Sequence, residues 1–166
     1  MFKGGFLRSM PRPSLRTQWD ALARWPLGKT VFSKIVGRAA PYTGTIDARV
    51  VELREGFARV EIRDRPWLRN HLASVHAVAL VNLAELTGNV ALAYSMPDDA
   101  RFIVAGLSIA YLKKARGLIT GTCTCPVPRS NARHEYNVPV RLHDATGDEV
   151  AVATLRTLVG PKPTAR

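Results

Sequence analysis

Trp67 to Tyr94 reads WLRNHLASVHAVALVNLAELTGNVALAY, and its second half decides the fold. From Val75 to Tyr94 the apolar residues fall on nearly every face of a helix of about five turns. A helix that is hydrophobic all round has to be buried. His76, Asn82, Glu85, Thr87 and Asn89 interrupt it, and a membrane span needs roughly 20 predominantly apolar residues. The wrapping therefore has to come from the protein itself. The polar residues that the helix carries inward are the first place to look for chemistry.

Outward from that helix the periodicity changes to two. Upstream, Thr45 to Leu53 and Phe57 to Ile62 read as strands joined by Arg54-Glu55-Gly56, and Ala58, Val60 and Ile62 alternate with Arg59, Glu61 and Arg63. Pro66 ends the pair. Downstream, Pro97-Asp98-Asp99 makes a turn, and four extended segments follow: Arg101 to Leu112, Gly117 to Cys125, His134 to His143 and Glu149 to Val159. Two strands, one long buried helix and four strands predict an α+β domain, an antiparallel sheet wrapped around a central helix. That domain is bounded at residues 43–160. Residues 1–42 form a basic N-terminal helical extension: Ser14 caps a helix with Leu15, Trp19 and Leu22 on one face, and Val31, Phe32, Ile35 and Val36 mark a second that Pro41 stops. Met1 to Pro13 reads as loosely attached, and the tail, from Gly160 and with 161–166 outside the domain, as frayed.

At 166 residues the chain fits one domain that buries about 70% of its unfolded surface, so no disulfide is required. Cys123 and Cys125 lie two apart on one strand face, with no further ligands spaced for a metal, and read as reduced thiols. With no signal-peptide pattern, the cytoplasm is the expected compartment, an organellar matrix being the alternative if residues 1–40 act as a presequence. The formal charge of +11 asks for an anionic partner. Residues 1–40 hold eight Lys or Arg against Asp20 alone, and Lys113 to Arg133 hold five more with no acid. For the first region the favoured reading is a helical clip over the domain edge, with membrane-surface contact a lesser alternative. No nucleic-acid partner is expected, because the arm has neither a stacking platform nor a reading helix.

Asn70 and His76 sit at or before the start of the central helix, where unpaired N–H groups and the helix dipole favour a developing oxyanion. A carbonyl set against the N–H of Ala77 would be polarised there, and Glu85 is the carboxylate available to activate water or attack directly. The competing reading of Glu85 is structural, as an acceptor from Asn82 or Asn89 on its own face. Nine residues separate His76 from Glu85, about two and a half turns, which sets the two on opposite sides of one helix. One site using both needs two copies of the chain.

Asn70, six residues before His76, and Glu85, nine after it, together with GLSIAYLKKARG at Gly106 to Gly117, resemble the hotdog-fold thioesterases of the phenylacetate-degradation (PaaI-like) type. The resemblance covers residues 43–160. Ala77 stands where that family has Gly, and Glu85 where it has Asp. It implies a single hotdog domain, a homodimer or dimer of dimers (homotetramer), and hydrolysis of an acyl-CoA thioester to free acid and coenzyme A. Asn70, His76, Ala77 and Glu85 would be the catalytic residues, and Tyr111 would border the coenzyme A channel. Lys113, Lys114, Arg116 and Arg129, with Arg133, are placed to bind its phosphates. No cofactor is implied, coenzyme A being part of the substrate. The two departures keep open a non-catalytic acyl-CoA or acyl-carrier binding protein on the same fold, since a longer acid arm displaces the carboxylate.

Overall fold

The computed structural model describes residues 13–163. Three N-terminal helices, α1 (Leu15–Leu22), α2 (Gly28–Ala39) and the single turn α3 (Pro41–Gly44), lead into the strands β1 (Arg49–Arg54) and β2 (Phe57–Arg63). A 3-10 turn at Pro66–Leu68 precedes the central helix α4 (Ala77–Ser95). The chain then continues through β3 (Ala100–Tyr111), β4 (Leu118–Thr124), β5 (His134–His143) and β6 (Glu149–Pro161). Every paired strand is antiparallel, and the six form one sheet in the order β1-β2-β4-β5-β6-β3.

The sheet wraps α4 as its residue pattern requires. Leu80, Leu83, Ala84, Val90, Ala91 and Leu92 of the helix share one core with Val60, Ile62, Ile119, Val138, Val140, Leu142 and Leu155 of the strands. Helix and sheet approach closely at two glycines. A Cβ at Gly121 would lie 2.6 Å from Thr87 Oγ1, and one at Gly88 2.9 Å from Leu155 Cδ2, so a side chain at either position would force the facing side chain to move. Thr87 itself donates to Leu83 O at 2.7 Å, which satisfies its buried hydroxyl within the helix.

The two sheet edges differ. At the β1 edge, Lys29 Nζ of α2 donates to Val51 O at 2.7 Å and Val50 N–H donates to Ser33 Oγ at 2.9 Å, so α2 covers the strand. α1 is tied down in turn: Arg16 donates to Tyr94 O and Met96 O at 2.7 and 2.9 Å, satisfying carbonyls at the end of α4. Trp19 and Phe32 meet edge to face, with centroids 5.0 Å apart, both buried. At the other edge, among the described residues, β3 pairs only with β6.

The start of β1 and the end of β6 differ from the sequence reading, and α4 begins at Ala77 rather than Val75. β1 begins at Arg49 rather than Thr45, because Pro41 opens the helical turn α3 and Asp47 takes a left-handed φ of 47° before the strand starts. Gly160 is not frayed: it and Pro161 pair with Arg101 and Ala100, and Lys162 N–H donates to Asp99 O at 2.9 Å. The loose attachment read for the first residues and the fraying read for the last three lie outside the described residues, except at Pro13.

Candidate active site

The start of α4 is capped by His76. Its φ and ψ of −63° and 140° are extended, and its Nδ1 accepts the Val78 N–H at 3.1 Å. With Nδ1 accepting, the ring N–H is on Nε2, which has no partner among the described residues. His76 O takes the N–H groups of Ala79 and Leu80. The Ala77 N–H has no partner among the described residues, and it is the first amide of the helix.

Ala77 lines an open cleft of about 370 Å³ with Asn70, Ser74, Leu80, Tyr111, Lys113 and Lys114. Asn70 Oδ1 accepts from Leu72 N–H, Ser74 N–H and Ser74 Oγ at 2.9, 3.3 and 3.1 Å, which folds the loop into a tight turn. The carbonyl end of Asn70 is thus occupied, and its Nδ2 has no partner among the described residues. Arg116 holds the same loop from outside through Ala73 O and Leu72 O at 3.1 and 3.3 Å. Tyr111 O–H donates to Ala77 O at 3.3 Å, and burial pushes its phenol pKa up, so it stays a proton donor.

His76 lines a second cleft, with Tyr42, Trp67, Val78 and Asn82. The geometry argued from sequence changes here. His76 is the cap and not a helical residue, so a helical angle counted from it has no meaning, and its ring turns back onto the Val78 N–H. The separation survives on different grounds: from Ala77 to Glu85 the helix rises about 12 Å, far beyond hydrogen-bond reach. Glu85 is half-buried on α4 with no hydrogen bond or ion pair among the described residues. Neither amide expected to hold it does so. Asn82 Nδ2 donates to Tyr42 O at 3.2 Å, and Asn89 Oδ1 is buried without a partner.

The expected basic cluster divides. Lys113 is held by Asp144 at 3.0 Å and by Asp148, and those carboxylates raise its pKa. The Thr146 hydroxyl and Lys113 hold the Asp144 carboxyl well below the usual carboxylate range. Sequence reading saw the Ala145 to Asp148 turn but not that Asp144 opens it as an Asx turn facing Lys113. Lys114 is exposed in the cleft without an ion-pair partner among the described residues. Arg129 lies beyond the far end of β4, 3.4 Å from Glu55. Seven strand residues, about 23 Å, separate it from the cleft within one chain. Cys123 and Cys125 are free and buried, and no group of three or more metal-binding side chains occurs among the described residues.

Solved structures share this architecture. A structural-genomics protein is 29% identical, with a TM-score of 0.76 over 89% of this chain and 98% of that one. A Pseudomonas aeruginosa protein described as a probable thioesterase is 21% identical, with a TM-score of 0.72 over 80% and 96%. A thioesterase family protein from Silicibacter pomeroyi is 15% identical, with a TM-score of 0.68 over 78% and 96%. Among curated proteins nothing matches. The α+β sheet wrapped on one long helix is the hotdog fold. A family model described as a domain of unknown function, DUF4442, matches residues 28–159, from the start of α2 into β6, and so takes in part of the segment read as an extension. With the match running through most of the helix-wrapped sheet, the chain belongs to the DUF4442 family.

Proposed function

We propose that this protein hydrolyses acyl thioesters of coenzyme A in a site assembled from two copies of the chain. The observation that carries the reading is the unpaired Ala77 N–H at the first turn of α4, opening on a cleft that also holds Asn70 and Lys114. A thioester oxygen set there accepts from the Ala77 N–H and Asn70 Nδ2, and the helix dipole favours the charge that develops on it. Substituting Ala for Gly at 77 leaves that role intact, because the donor is backbone. Lys114 at the cleft mouth meets a phosphate of coenzyme A, while Lys113 and Arg116 shape the walls.

The carboxylate that activates water comes from the second copy. Glu85 is free in one chain but about 12 Å up the helix from Ala77. The β3 edge supports the pairing. Phe102 to Leu112 contains no charged residue, and the inward side chains Phe102, Val104, Leu107 and Ile109 are only partly covered. A long uncharged edge strand with a half-covered apolar face is a template for another strand. Hydrolysis then adds a water oxygen to the thioester carbonyl carbon as Glu85 takes the water's proton. Collapse of the tetrahedral oxyanion breaks the C–S bond and releases thiolate, which the proton neutralises. The thioesterases among the structural neighbours agree with this chemistry without fixing the acyl group.

Thiol release from acyl-CoAs of graded chain length tests the reading. The wild-type chain is expected to turn over at least one, and Glu85→Gln to lose about 10²- to 10⁴-fold in kcat. Equal turnover by the two would remove Glu85 from the mechanism. Tight binding with no thiol released at any chain length would instead mark a carrier or sensor of acyl-CoA.

A further inference from the structure

The corner between α1 and α2 and the outer face of α2 carry large apolar side chains that nothing in the described chain covers. Trp25 is 66% exposed, Leu27 78%, Val31 47% and Ile35 36%. Val31 and Ile35 are four residues apart, a step of about 40° around the helix, so the two form one stripe, and Leu27, the left-handed cap residue, is exposed just ahead of it. Phe32, about 100° around the helix from Val31, is buried against Trp19. The apolar sector of the helix is therefore wider than the part that the fold covers.

That stripe is held in place rather than left to fray. Leu27 takes a left-handed φ of 63°, a conformation rare for a branched residue. Gly28 is packed so closely that a Cβ would lie 1.8 Å from Leu22 O, which fixes the angle between the two helices. The charge around it is of one sign. Between Asp20 and Asp47 the sequence has Arg24, Lys29, Lys34 and Arg38 and no acid. Lys29 turns inward to Val51 O, and Lys34 pairs with Asp47 at 2.6 Å. Arg24 and Arg38 are exposed beside the stripe with no ion pair among the described residues.

We infer that the corner at Trp25 and Leu27 and the outer face of α2 dock on the surface of an anionic lipid bilayer. Exposed apolar side chains flanked by cations, with a Trp at the helix corner, match the chemistry of the headgroup boundary: apolar side chains enter the acyl region, the indole sits at headgroup level, and Arg pairs with lipid phosphates. The face lies at the β1 edge, five interstrand gaps or about 24 Å from the open β3 edge. Pairing of two copies through β3 leaves it uncovered.

The inference stands apart from the thioesterase reading, because its readout is binding and not turnover. The full chain is mixed with vesicles of phosphatidylcholine alone or of phosphatidylcholine with phosphatidylglycerol, and the bound fraction is read by co-sedimentation. Retention on the anionic vesicles, weakening as salt rises, is the expected result. Val31→Glu with Ile35→Glu should lower the affinity at least about tenfold, since two apolar side chains lose their burial. Arg24→Gln with Arg38→Gln should lower it about fivefold for each charge. Both variants change exposed side chains, and an unaltered thermal midpoint verifies the fold. Absence of retention on either vesicle overturns the proposal, as does retention that neither variant weakens. A drop in copy number with the Val31→Glu, Ile35→Glu variant, without vesicle binding by wild type, would make the face an interface between chains instead.

Discussion

The two long helices, α4 and α2, both carry apolar residues on more than one face, and the fold completes the burial of only one of them. α4 lies in the trough of the sheet, where its Leu83, Ala84 and Ala91 are fully buried. α2 lies across the sheet edge, buries Phe32 and Gly28, and leaves Leu27, Val31 and Ile35 outside. Their starts differ too. α4 is capped by the His76 ring, whereas α2 begins at Leu27, which offers no side-chain acceptor and sits in a left-handed conformation. The contrast teaches that an apolar stripe in a sequence states a need for cover without saying what provides it. For α4 the sheet provides it, and for the outer side of α2 the cover lies outside the described chain.

The largest effect expected is at the buried helix. Leu83→Ala should cost about 3–5 kcal/mol in chemical denaturation, from lost transfer energy plus the cavity left in a close-packed core. Val31→Ala, the matched truncation on the outer face of α2, should stay within about 0.5 kcal/mol. If Val31→Ala approached the cost of Leu83→Ala, the outer face of α2 would be packed in the working protein, and the contrast would break.

This division explains what the sequence made legible. The wrapped helix and the strands were readable because burial on a sheet imposes periods of 3.6 and 2, and Ala58, Val60 and Ile62 or Tyr136, Val138, Val140 and Leu142 display them directly. The start of β1 was not, since Pro41 is compatible with either a stop or a new helical turn. His76 reads from the sequence as lying at or before the helix start, but His is not among the favoured caps, so the sequence does not decide between cap and first helical residue, and a helical angle can be counted only from the second. The basic residues from Lys113 to Arg129 looked like one cluster because they are near in sequence. A strand of seven residues runs between them, and extended chain converts small sequence distance into large spatial distance. Ion pairing was equally hidden: that Lys113 is held by Asp144 and Asp148 depends on strand register, which one sequence does not display.

Capping offers a sharper test of the difference between the helix starts. His76→Ala should cost about 1 kcal/mol of stability, the usual loss when an N-cap acceptor is removed. His76→Asn should recover most of it, because Asn is a favoured cap. The pair separates structure from chemistry. If the free Nε2–H of His76 also donates to substrate, His76→Asn will be as stable as wild type yet slower in thiol release; full recovery of both would confine His76 to capping.

The smallest effect expected is at the other helix start, and its sign carries the information. Leu27 holds a left-handed conformation that costs an L residue about 1–2 kcal/mol and glycine almost nothing. Against that relief, glycine brings a looser unfolded chain, a penalty of about 0.5–1 kcal/mol. With its side chain 78% exposed there is little packing to lose, so Leu27→Gly should stabilise the isolated protein by about 0.5 kcal/mol in thermal or chemical unfolding. A loss of more than about 1 kcal/mol would show that Leu27 is already buried against something in solution. A small gain, together with weaker retention on anionic vesicles, would mean that the chain tolerates a strained, exposed leucine at this corner because the side chain acts outside the fold.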